Sequence, residues 1–225
     1  SIKNNGKSQA RLTVIQKLYK KGSTKLIAST QSGLNVAPGT VKSIDQKIKV
    51  TNPAIWSVEN PELYTVETWI QENGKVIDRN QLTTGIRTIR FDANKGFFLN
   101  DVNMKLKGVC IHHDAGALGA AVPKVVWERR LKALKQIGCN AIRTSHNPQD
   151  DVVYDLCDEL GFVVMDEAFD EWEFPKRKWL EGWNVGTPGY QGYASYFNEW
   201  GEKDITDQVK MHKNHPSIIM WSIGN

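Results

Sequence analysis

Residues 123–167 read PKVVWERRLKALKQIGCNAIRTSHNPQDDVVYDLCDELGFVVMDE and decide the fold. Pro123 suits the first turn of a helix, because its missing N–H would be unpaired there anyway. Trp127 and Leu131 then recur one helical turn apart, and Gly138 stands where a helix commonly ends. This part of the stretch predicts an amphipathic helix followed by a sharp turn.

The rest of the stretch repeats the pattern. Residues 140–144 predict the next strand. Asp150 or Asp151 can cap a second helix, Gly161 closes it, and residues 162–165 predict the next strand. Strands that alternate with helices in this way indicate βαβ units and a parallel sheet.

Further units flank this stretch and set the fold class. Residues 104–110 predict an earlier strand, a helix is expected over about 195–212, and residues 218–223 form a largely apolar fourth strand. Four such units fit a (β/α)₈ TIM barrel or a doubly wound sheet, and no glycine-rich phosphate loop follows any strand to favour the second. A full barrel takes about 250 residues. We therefore expect residues 90–225 to be the N-terminal half of a barrel, and the chain to be a fragment.

The first 89 residues have a different pattern. Short β-rich runs, separated by Gly, Pro and Asn, predict strands; they cover residues 12–19, 44–50, 63–71 and 76–84. Asn73-Gly74 predicts a two-residue hairpin turn, since both positions need a positive φ. Residues 1–89 are predicted to form an antiparallel β-sandwich, with a barrel of short strands as the alternative. The chain is thus predicted to be multi-domain.

Composition excludes several classes of protein. The 29 Lys and Arg residues against 25 Asp and Glu give a net charge of +4, which is too small to indicate nucleic-acid binding. No apolar run reaches the roughly 18 residues of a membrane helix, and no compartment is indicated. Cys110, Cys139 and Cys157 form no CxxC pair or metal spacing and are expected to be buried thiols.

Polar side chains cluster where the four barrel strands end, and in parallel barrels these ends share one mouth. The candidates are His112, His113, Asp114, Arg143, Ser145, His146, Asn147, Asp166, Glu167 and Asn225. Imidazole, guanidinium, carboxylate and amide groups offer oriented hydrogen bonds to a polyhydroxylated ligand. Six of the eight tryptophans lie beyond residue 90, notably in a loop over residues 172–192, and could stack on sugar rings. This composition favours carbohydrate.

Simpler interpretations apply to some of these residues. His112 and His113 are adjacent on a strand and point to opposite faces, which disfavours a shared metal ion. Asp166 and Glu167 are adjacent too, so we expect one to enter the mouth and the other to be a supporting partner, for example of Arg143. His212 and His215, which flank a helix end, are expected to be structural.

Five segments resemble glycoside hydrolase family 2. They are WSVENPELY at 56–64 with GIR at 85–87, residues 100–109, NAIRTSHNP at 140–148, residues 154–167, and NHPSIIMWSIGN at 214–225. In that family the first segment belongs to an immunoglobulin-like domain, and the others belong to the catalytic barrel in this order. The resemblance covers the chain from about residue 50 to its end.

The resemblance implies hydrolysis of a terminal β-linked sugar with retention, by an acid/base and a nucleophile about 5 Å apart. The family's acid/base is the glutamate directly after the position of Asn225, and its nucleophile lies on a later strand. We therefore expect no catalytic residue within these 225 residues and no activity of this polypeptide alone. The resemblance makes His112, Arg143, His146 and Asn225 substrate-binding residues, supported by Asp166 and Glu167.

Cofactors and specificity follow from the same resemblance. A magnesium site of some members uses a Glu-x-His after the third strand; Glu171 and Glu173 stand there, so we predict no metal. The stretch HHDAGALGAA at 112–121 is most similar to β-galactosidase-type members, with β-glucuronidase and β-mannosidase as alternatives. Other hypotheses are a non-catalytic carbohydrate-binding or scaffold module and an interaction protein that uses the basic sandwich. A half-barrel would also expose unpaired strand edges, which predicts self-association.

Overall fold

A computed structural model of the protein describes residues 1–174, 176 and 192–225. The chain divides into two compact units. Unit 1 comprises Ser1–Ala54 and Glu62–Ile86, and unit 2 comprises Ile55–Pro61 and Arg87–Asn225. Most of the tryptophan-rich loop expected over residues 172–192 lies outside the described residues, namely residues 175 and 177–191.

Unit 1 is built from antiparallel strands. They are β1 (Ile2–Lys3), β2 (Ala10–Lys20), β3 (Leu26–Val36), β4 (Val41–Lys42), β5 (Tyr64–Glu72) and β6 (Lys75–Thr84). The main sheet has the order β3-β2-β5-β6, and β1 pairs with β4. Leu12 and Val14 of β2 and Leu34 and Val36 of β3 are buried together on one face, because alternate residues of a strand share a face.

The sequence predictions for unit 1 are partly confirmed. Asn73 and Gly74 form the β5–β6 turn with φ values of 50° and 80°. The strand predicted over residues 44–50 is wrong: this segment has no strand partner, and the Gln46 side chain instead donates to the carbonyl oxygen of Val14 at 3.0 Å. Conversely β3, with the polar sequence LIASTQSGLNV, is a strand because it pairs along the whole of β2.

Unit 2 contains a small antiparallel sheet and a parallel α/β segment. The antiparallel strands are β7 (Ile89–Asp92), β8 (Gly96–Leu99) and β9 (Val102–Asn103). The parallel segment consists of β10 (Gly108–Ile111), α1 (Lys124–Gln136), β11 (Ala141–Thr144), α2 (Asp151–Leu160), β12 (Val163–Glu167), α3 (Phe197–His212) and β13 (Ile218–Ser222). The sheet order β10-β11-β12-β13 follows the chain, as in the first half of a TIM barrel.

Local signals position the helices as the sequence predicts. The Asp150 side chain accepts a hydrogen bond from the backbone N–H of Val152 and caps α2, and Gly161 ends α2 in the left-handed conformation. Trp127 and Leu131 of α1 are buried in the core between the helices and the sheet. The first strand is shorter than predicted, because only Gly108–Ile111 pairs with β11.

Residues Ile55–Pro61 belong to unit 2 although they precede β5. Trp56 is fully buried, and its indole N–H donates to the carbonyl oxygen of Asp158 at 2.9 Å. The carbonyl oxygen of Trp56 accepts from Asn100 Nδ2 at 3.0 Å. The WSVEN segment therefore anchors the C-terminal end of α2.

In the part of the chain that the structure describes, no helix is long and apolar enough to cross a membrane.

The three cysteines differ in their exposure to solvent. Cys139 and Cys157 are buried as expected, but Cys110 is exposed. The prediction for Cys110 is wrong, because its strand β10 has only β11 beside it among the described strands.

Gly161 offers a test of how closely the WSVEN segment packs against the C-terminal end of α2. Its φ is +74°, and a Cβ would collide with the backbone of Val58, whereas Gly138 after α1 has a φ of +85° and open space around a Cβ. We expect Gly138→Ala to cost about 1–2 kcal/mol from backbone strain alone. Gly161→Ala should cost about 2 kcal/mol more, because the Val58 segment must shift. Urea unfolding of both variants measures the difference; equal losses would contradict the close approach.

Candidate active site

The carboxyl ends of β10–β13 surround one open cavity of about 580 Å³, which we call the mouth. Parallel strands bring the residues that follow them to the same edge of a sheet. The mouth is lined by His112, His113, Ser145, His146, Asn147, Asp170, Lys176 and Asn225. The structure therefore brings together most of the residues that the sequence placed after these strands.

Glu167, at the end of β12, is fully buried beneath the mouth, where its carboxylate contacts the lining residue His146. Arg143 binds its carboxylate through both Nε (2.8 Å) and Nη2 (2.9 Å). His146 Nδ1 lies 2.7 Å from Oε1, and Ser222 Oγ donates to Oε2 at 2.9 Å. Three side chains from different segments thus converge on one carboxylate.

These contacts fix the charge state of Glu167. Burial by itself raises the pKa of a carboxyl group, but the hydrogen bonds from His146, Arg143 and Ser222 outweigh it and hold the pKa of Glu167 below its ordinary value. The same contact with Glu167 raises the pKa of Arg143. At neutral pH the pair is therefore a fixed carboxylate and a fixed guanidinium.

Arg143 also positions the side chain of Asn225 through a direct hydrogen bond. Its Nη2 donates to Asn225 Oδ1 at 3.1 Å, and the backbone N–H of Asn225 donates to the carbonyl oxygen of Phe169 at 3.0 Å. The carboxamide oxygen of Asn225 is thereby occupied, which fixes the orientation of its amide group. Asn225 is held from both its side chain and its backbone.

Asp166 points to the opposite side of β12 and is completely buried. Its oxygens accept from Tyr154 OH at 2.6 Å and Thr144 Oγ1 at 3.2 Å, and lie 2.8 Å from His212 Nδ1. Burial, followed by the charge of Asp166, raises the pKa of the Tyr154 hydroxyl. Asp166 therefore ties α2 and α3 to the sheet, whereas Glu167 lies on the side of the mouth and is the one of the pair that binds Arg143.

Sequence reasoning missed the partners of two histidines. His212 binds Asp166, and His215 Nδ1 lies 2.6 Å from Asp158 Oδ2. Both carboxylates are far from these histidines along the chain, so no short sequence spacing predicts the two pairs. Asp158 and His215, with Asp155, could also group around a cation, but Asp158 already accepts from His215 and from the Ser217 backbone N–H.

His112 and His113 contact different partners. The His112 ring lies edge-to-face against the His146 ring, with the two ring centroids 5.4 Å apart. His113 Nδ1 lies 2.9 Å from Asn147 Oδ1. Both imidazoles line the mouth. The expectation that they are neighbours on a strand is wrong, because β10 ends at Ile111 and both residues follow it. Asp114 does not line the mouth cavity; its carbonyl oxygen accepts a hydrogen bond from Arg130.

The residues at the family's magnesium position do not fit a metal. The Glu171 carboxylate accepts hydrogen bonds from the backbone N–H groups of Lys176 (3.0 Å) and Ala194 (3.1 Å). Glu173 replaces the histidine ligand. Glu171 is therefore engaged in loop structure, and we derive no step through a metal at this position.

Two family models match the chain. The model described as Glycosyl hydrolases family 2, TIM barrel domain, matches residues 92–225, and the one described as Glycosyl hydrolases family 2 matches residues 1–87. The chain belongs to glycoside hydrolase family 2. The predicted fold class, an immunoglobulin-like antiparallel domain followed by part of a TIM barrel, is confirmed by these matches and by the antiparallel and parallel sheets.

Individual proteins that are similar to this chain agree with this assignment. A beta-galactosidase of Bacteroides ovatus is 45% identical over 199 residues, covering 88% of this chain and 22% of that protein. A beta-glucuronidase of Bacteroides fragilis is 31% identical over 207 residues, covering 90% of this chain and 28% of that protein. The crystal structure of a family 2 member from Bacteroides cellulosilyticus matches with a TM-score of 0.87 and 37% identity over 97% of this chain and 27% of that one. The chain thus spans less than a third of the length of these relatives.

Replacing Glu167 by glutamine tests the charge assignment. The neutral side chain leaves Arg143 without its counter-charge, and we expect a loss of about 3 kcal/mol of unfolding free energy at pH 7. Because the folded pKa of Glu167 is depressed, its contribution is present above the unfolded glutamate pKa of about 4.3 and is lost as pH falls through the folded pKa. The gap between wild type and Glu167→Gln should therefore close as pH is lowered.

Urea unfolding from neutral to acidic pH measures this gap. Glu128→Gln is the control, since Glu128 forms an exposed pair with Lys132 on α1 and should change stability little. A gap for Glu167→Gln that stays constant with pH would contradict the ionised, hydrogen-bonded carboxylate.

Proposed function

We propose that this chain forms the substrate-binding first half of the catalytic barrel of a retaining β-glycosidase that removes a terminal β-linked sugar, with galactose as the preferred sugar. The observation that carries the proposal is the Glu167–Arg143–Asn225 series of hydrogen bonds at the mouth. A prepositioned amide costs no reorganisation when charge develops on a bound sugar.

Each mouth residue has a distinct role in this proposal. Asn225 hydrogen-bonds the 2-hydroxyl of the sugar, an interaction that strengthens in the transition state of glycoside hydrolysis. His112 and His146, whose rings contact each other edge-to-face, bind further hydroxyls. Arg143 and Glu167 hold Asn225 and His146 in place, and Asp166 supports them from the other side of β12.

Glu167 itself is unsuited to the acid/base role. A general acid needs a raised pKa so that it carries a proton at neutral pH, whereas the pKa of Glu167 is lowered. Its oxygens also accept hydrogen bonds from three side chains. We therefore assign the acid/base and the nucleophile to residues outside these 225, in line with the family motif, in which the acid/base glutamate follows the position of Asn225.

The preference for galactose over a glucuronide rests on charge. A glucuronide carboxylate needs a cationic partner, but Arg143 is bound to Glu167, and Lys176 lies 2.5 Å from Asp170. Among the described residues, Lys176 in the lining of the mouth and Arg143 next to it are thus already paired. The β-galactosidase name of the relative at 45% identity supports the same choice, with β-glucuronidase and β-mannosidase as the alternatives.

Hydrolysis of chromogenic β-galactoside, β-glucuronide and β-mannoside tests the proposal. The panel is run on the 225-residue chain and on the polypeptide encoded by the complete reading frame that contains it. We expect no turnover by the 225-residue chain and fastest turnover of the galactoside by the complete polypeptide. Turnover of no glycoside by the complete polypeptide would contradict the enzyme proposal and favour a carbohydrate-binding module; fastest turnover of the glucuronide would overturn the choice of sugar.

We also propose that the 225-residue chain self-associates. Within the described residues, β10 and β13 each have a neighbouring strand on one edge only, and Val109 and Trp221 on these strands are 38% and 37% exposed. Unpaired edges with apolar side chains promote pairing with another chain. Light scattering should detect dimers or larger species whose fraction rises with concentration; a monodisperse monomer at high concentration would contradict this.

A further inference from the structure

None of the roles proposed above involves Trp172, which lies in the loop after β12. Its indole Nε1 donates a hydrogen bond to the carbonyl oxygen of Ile223 at 2.9 Å. Ile223 follows β13 directly and precedes Asn225 by two residues. An indole carries one N–H donor and no acceptor. The only polar atom of the Trp172 side chain is therefore committed to the backbone that leads to Asn225.

Gly224 lies against the same indole. A Cβ at position 224 would collide with Trp172 Nε1 and would lie 3.1 Å from the carbonyl oxygen of Phe169. The φ of Gly224 is +152°, which L side chains rarely adopt. The missing side chain at position 224 therefore lets the indole reach the Ile223 carbonyl and lets the loop after β12 approach the end of β13.

Two backbone hydrogen bonds join the same loop to the end of β13. The N–H of Ala168 donates to the carbonyl oxygen of Ser222 at 2.9 Å. The N–H of Asn225 donates to the carbonyl oxygen of Phe169 at 3.0 Å. The indole hydrogen bond of Trp172 lies between these two along the chain. Of the three, it is the one that depends on a side chain, so it is the one that a substitution can remove.

The exposure of Trp172 argues against a purely structural role. Trp172 is 47% exposed, whereas Trp56 and Trp127, which are buried in unit 2, are 0% and 2% exposed. Apolar burial stabilises a fold in proportion to the area removed from water, so Trp172 contributes less to packing than either of these residues. The hydrogen bond to Ile223 is therefore the contact that explains a tryptophan at this position.

We infer that Trp172 is a positioning residue for the proposed hydrolysis: its indole N–H and the neighbouring Gly224 fix the backbone path that leads to Asn225. Arg143 fixes the carboxamide oxygen of Asn225, and Trp172 fixes the backbone from which that side chain extends. Trp172 acts through Asn225 and does not itself bind the sugar. The inference rests on the proposed function for the reaction and for the contact of Asn225 with the 2-hydroxyl.

Trp172→Phe in the complete polypeptide tests this role, because it keeps an aromatic ring and removes the N–H donor. We expect kcat on a β-galactoside to fall about tenfold, since a shift of about 1 Å at a reacting centre can cost about 100-fold and the remaining contacts limit the shift. KM should change little, because the 2-hydroxyl contact strengthens in the transition state. The kcat on the 2-deoxy analogue, which lacks this hydroxyl, should fall much less.

Trp200→Phe is the matched control. Trp200 lies on α3, is 44% exposed, and has Lys203 Nζ at 4.3 Å from its ring centroid. The substitution makes the same chemical change at a tryptophan of similar exposure that is not among the described lining residues of the mouth. We expect kcat and KM on both substrates to equal those of the wild type.

A stability measurement tests the contact without any activity. Gly224→Ala places a Cβ against the indole, and Trp172→Phe removes the atom with which this Cβ collides. In urea unfolding of the 225-residue chain, Gly224→Ala should lower the midpoint more with the native Trp172 than in the Trp172→Phe background. The backbone strain at position 224 and the approach to Phe169 are the same in both backgrounds, so the difference reports the indole contact.

Four outcomes would overturn the inference. Three are kinetic: an unchanged kcat of Trp172→Phe, an effect confined to KM, which would indicate direct contact with the sugar, and equal kcat losses on the galactoside and its 2-deoxy analogue. The fourth is an equal midpoint shift for Gly224→Ala in the two backgrounds. Failure of the proposed function is distinct, since the wild-type complete polypeptide then hydrolyses no glycoside; the positioning role would fall with it, whereas the urea comparison would still establish the contact.

Discussion

The carboxylate of Glu167 is buried beneath the mouth, and the arrangement of the mouth follows from the need to compensate its charge. An unpaired buried charge is costly, so the surrounding side chains must converge on it. Arg143 from β11, His146 from the loop after it and Ser222 from β13 do so. A single group at the end of β12 therefore fixes residues from both neighbouring strands, and through Arg143 it also fixes Asn225.

The neighbouring Asp166 forms the hydrogen bonds on the other side of β12, where it contacts the helices. Adjacent strand residues face opposite directions, so this second carboxylate lies among the helices and binds Tyr154 of α2 and His212 of α3. Thr144 contacts both acidic residues, because its hydroxyl donates to the Asp166 carboxylate and accepts from the backbone N–H of Glu167. The helices thus hold the strand whose end carries the mouth, which is how packing outside the site can determine geometry inside it.

Much of this fold was predictable because its signals are local. Pro123 before α1 and the Asp150 cap of α2 mark helix starts in the sequence, and Asn73-Gly74 marks a hairpin. The residues of the mouth were predictable because parallel strands end at one edge. What the sequence does not reveal depends on partners far along the chain. β3 is a strand because of its pairing with β2, and residues 44–50 alternate like a strand but have no partner strand.

The site has the same division between local and distant information. His212 and Asp166 are 46 residues apart, and no motif spacing connects them. Trp172 and Ile223 are 51 residues apart, so the hydrogen bond between them exists only in the folded chain. A family resemblance identifies the residues of the mouth but assigns no role to Trp172, whose contacts with Ile223 and Gly224 become visible only in the structure.

The central claim is that Arg143, itself held by Glu167, positions Asn225 for the 2-hydroxyl of the sugar. The most direct measurement compares kcat for two proteins on two substrates. The proteins are the complete polypeptide and its Arg143→Lys variant, and the substrates are a β-galactoside and its 2-deoxy analogue. Lysine cannot reproduce the paired contact of the guanidinium with a carboxylate. The account predicts that Arg143→Lys lowers kcat much more on the galactoside than on the 2-deoxy substrate, because the latter lacks the hydroxyl that Asn225 binds. An equal loss on both substrates would contradict it.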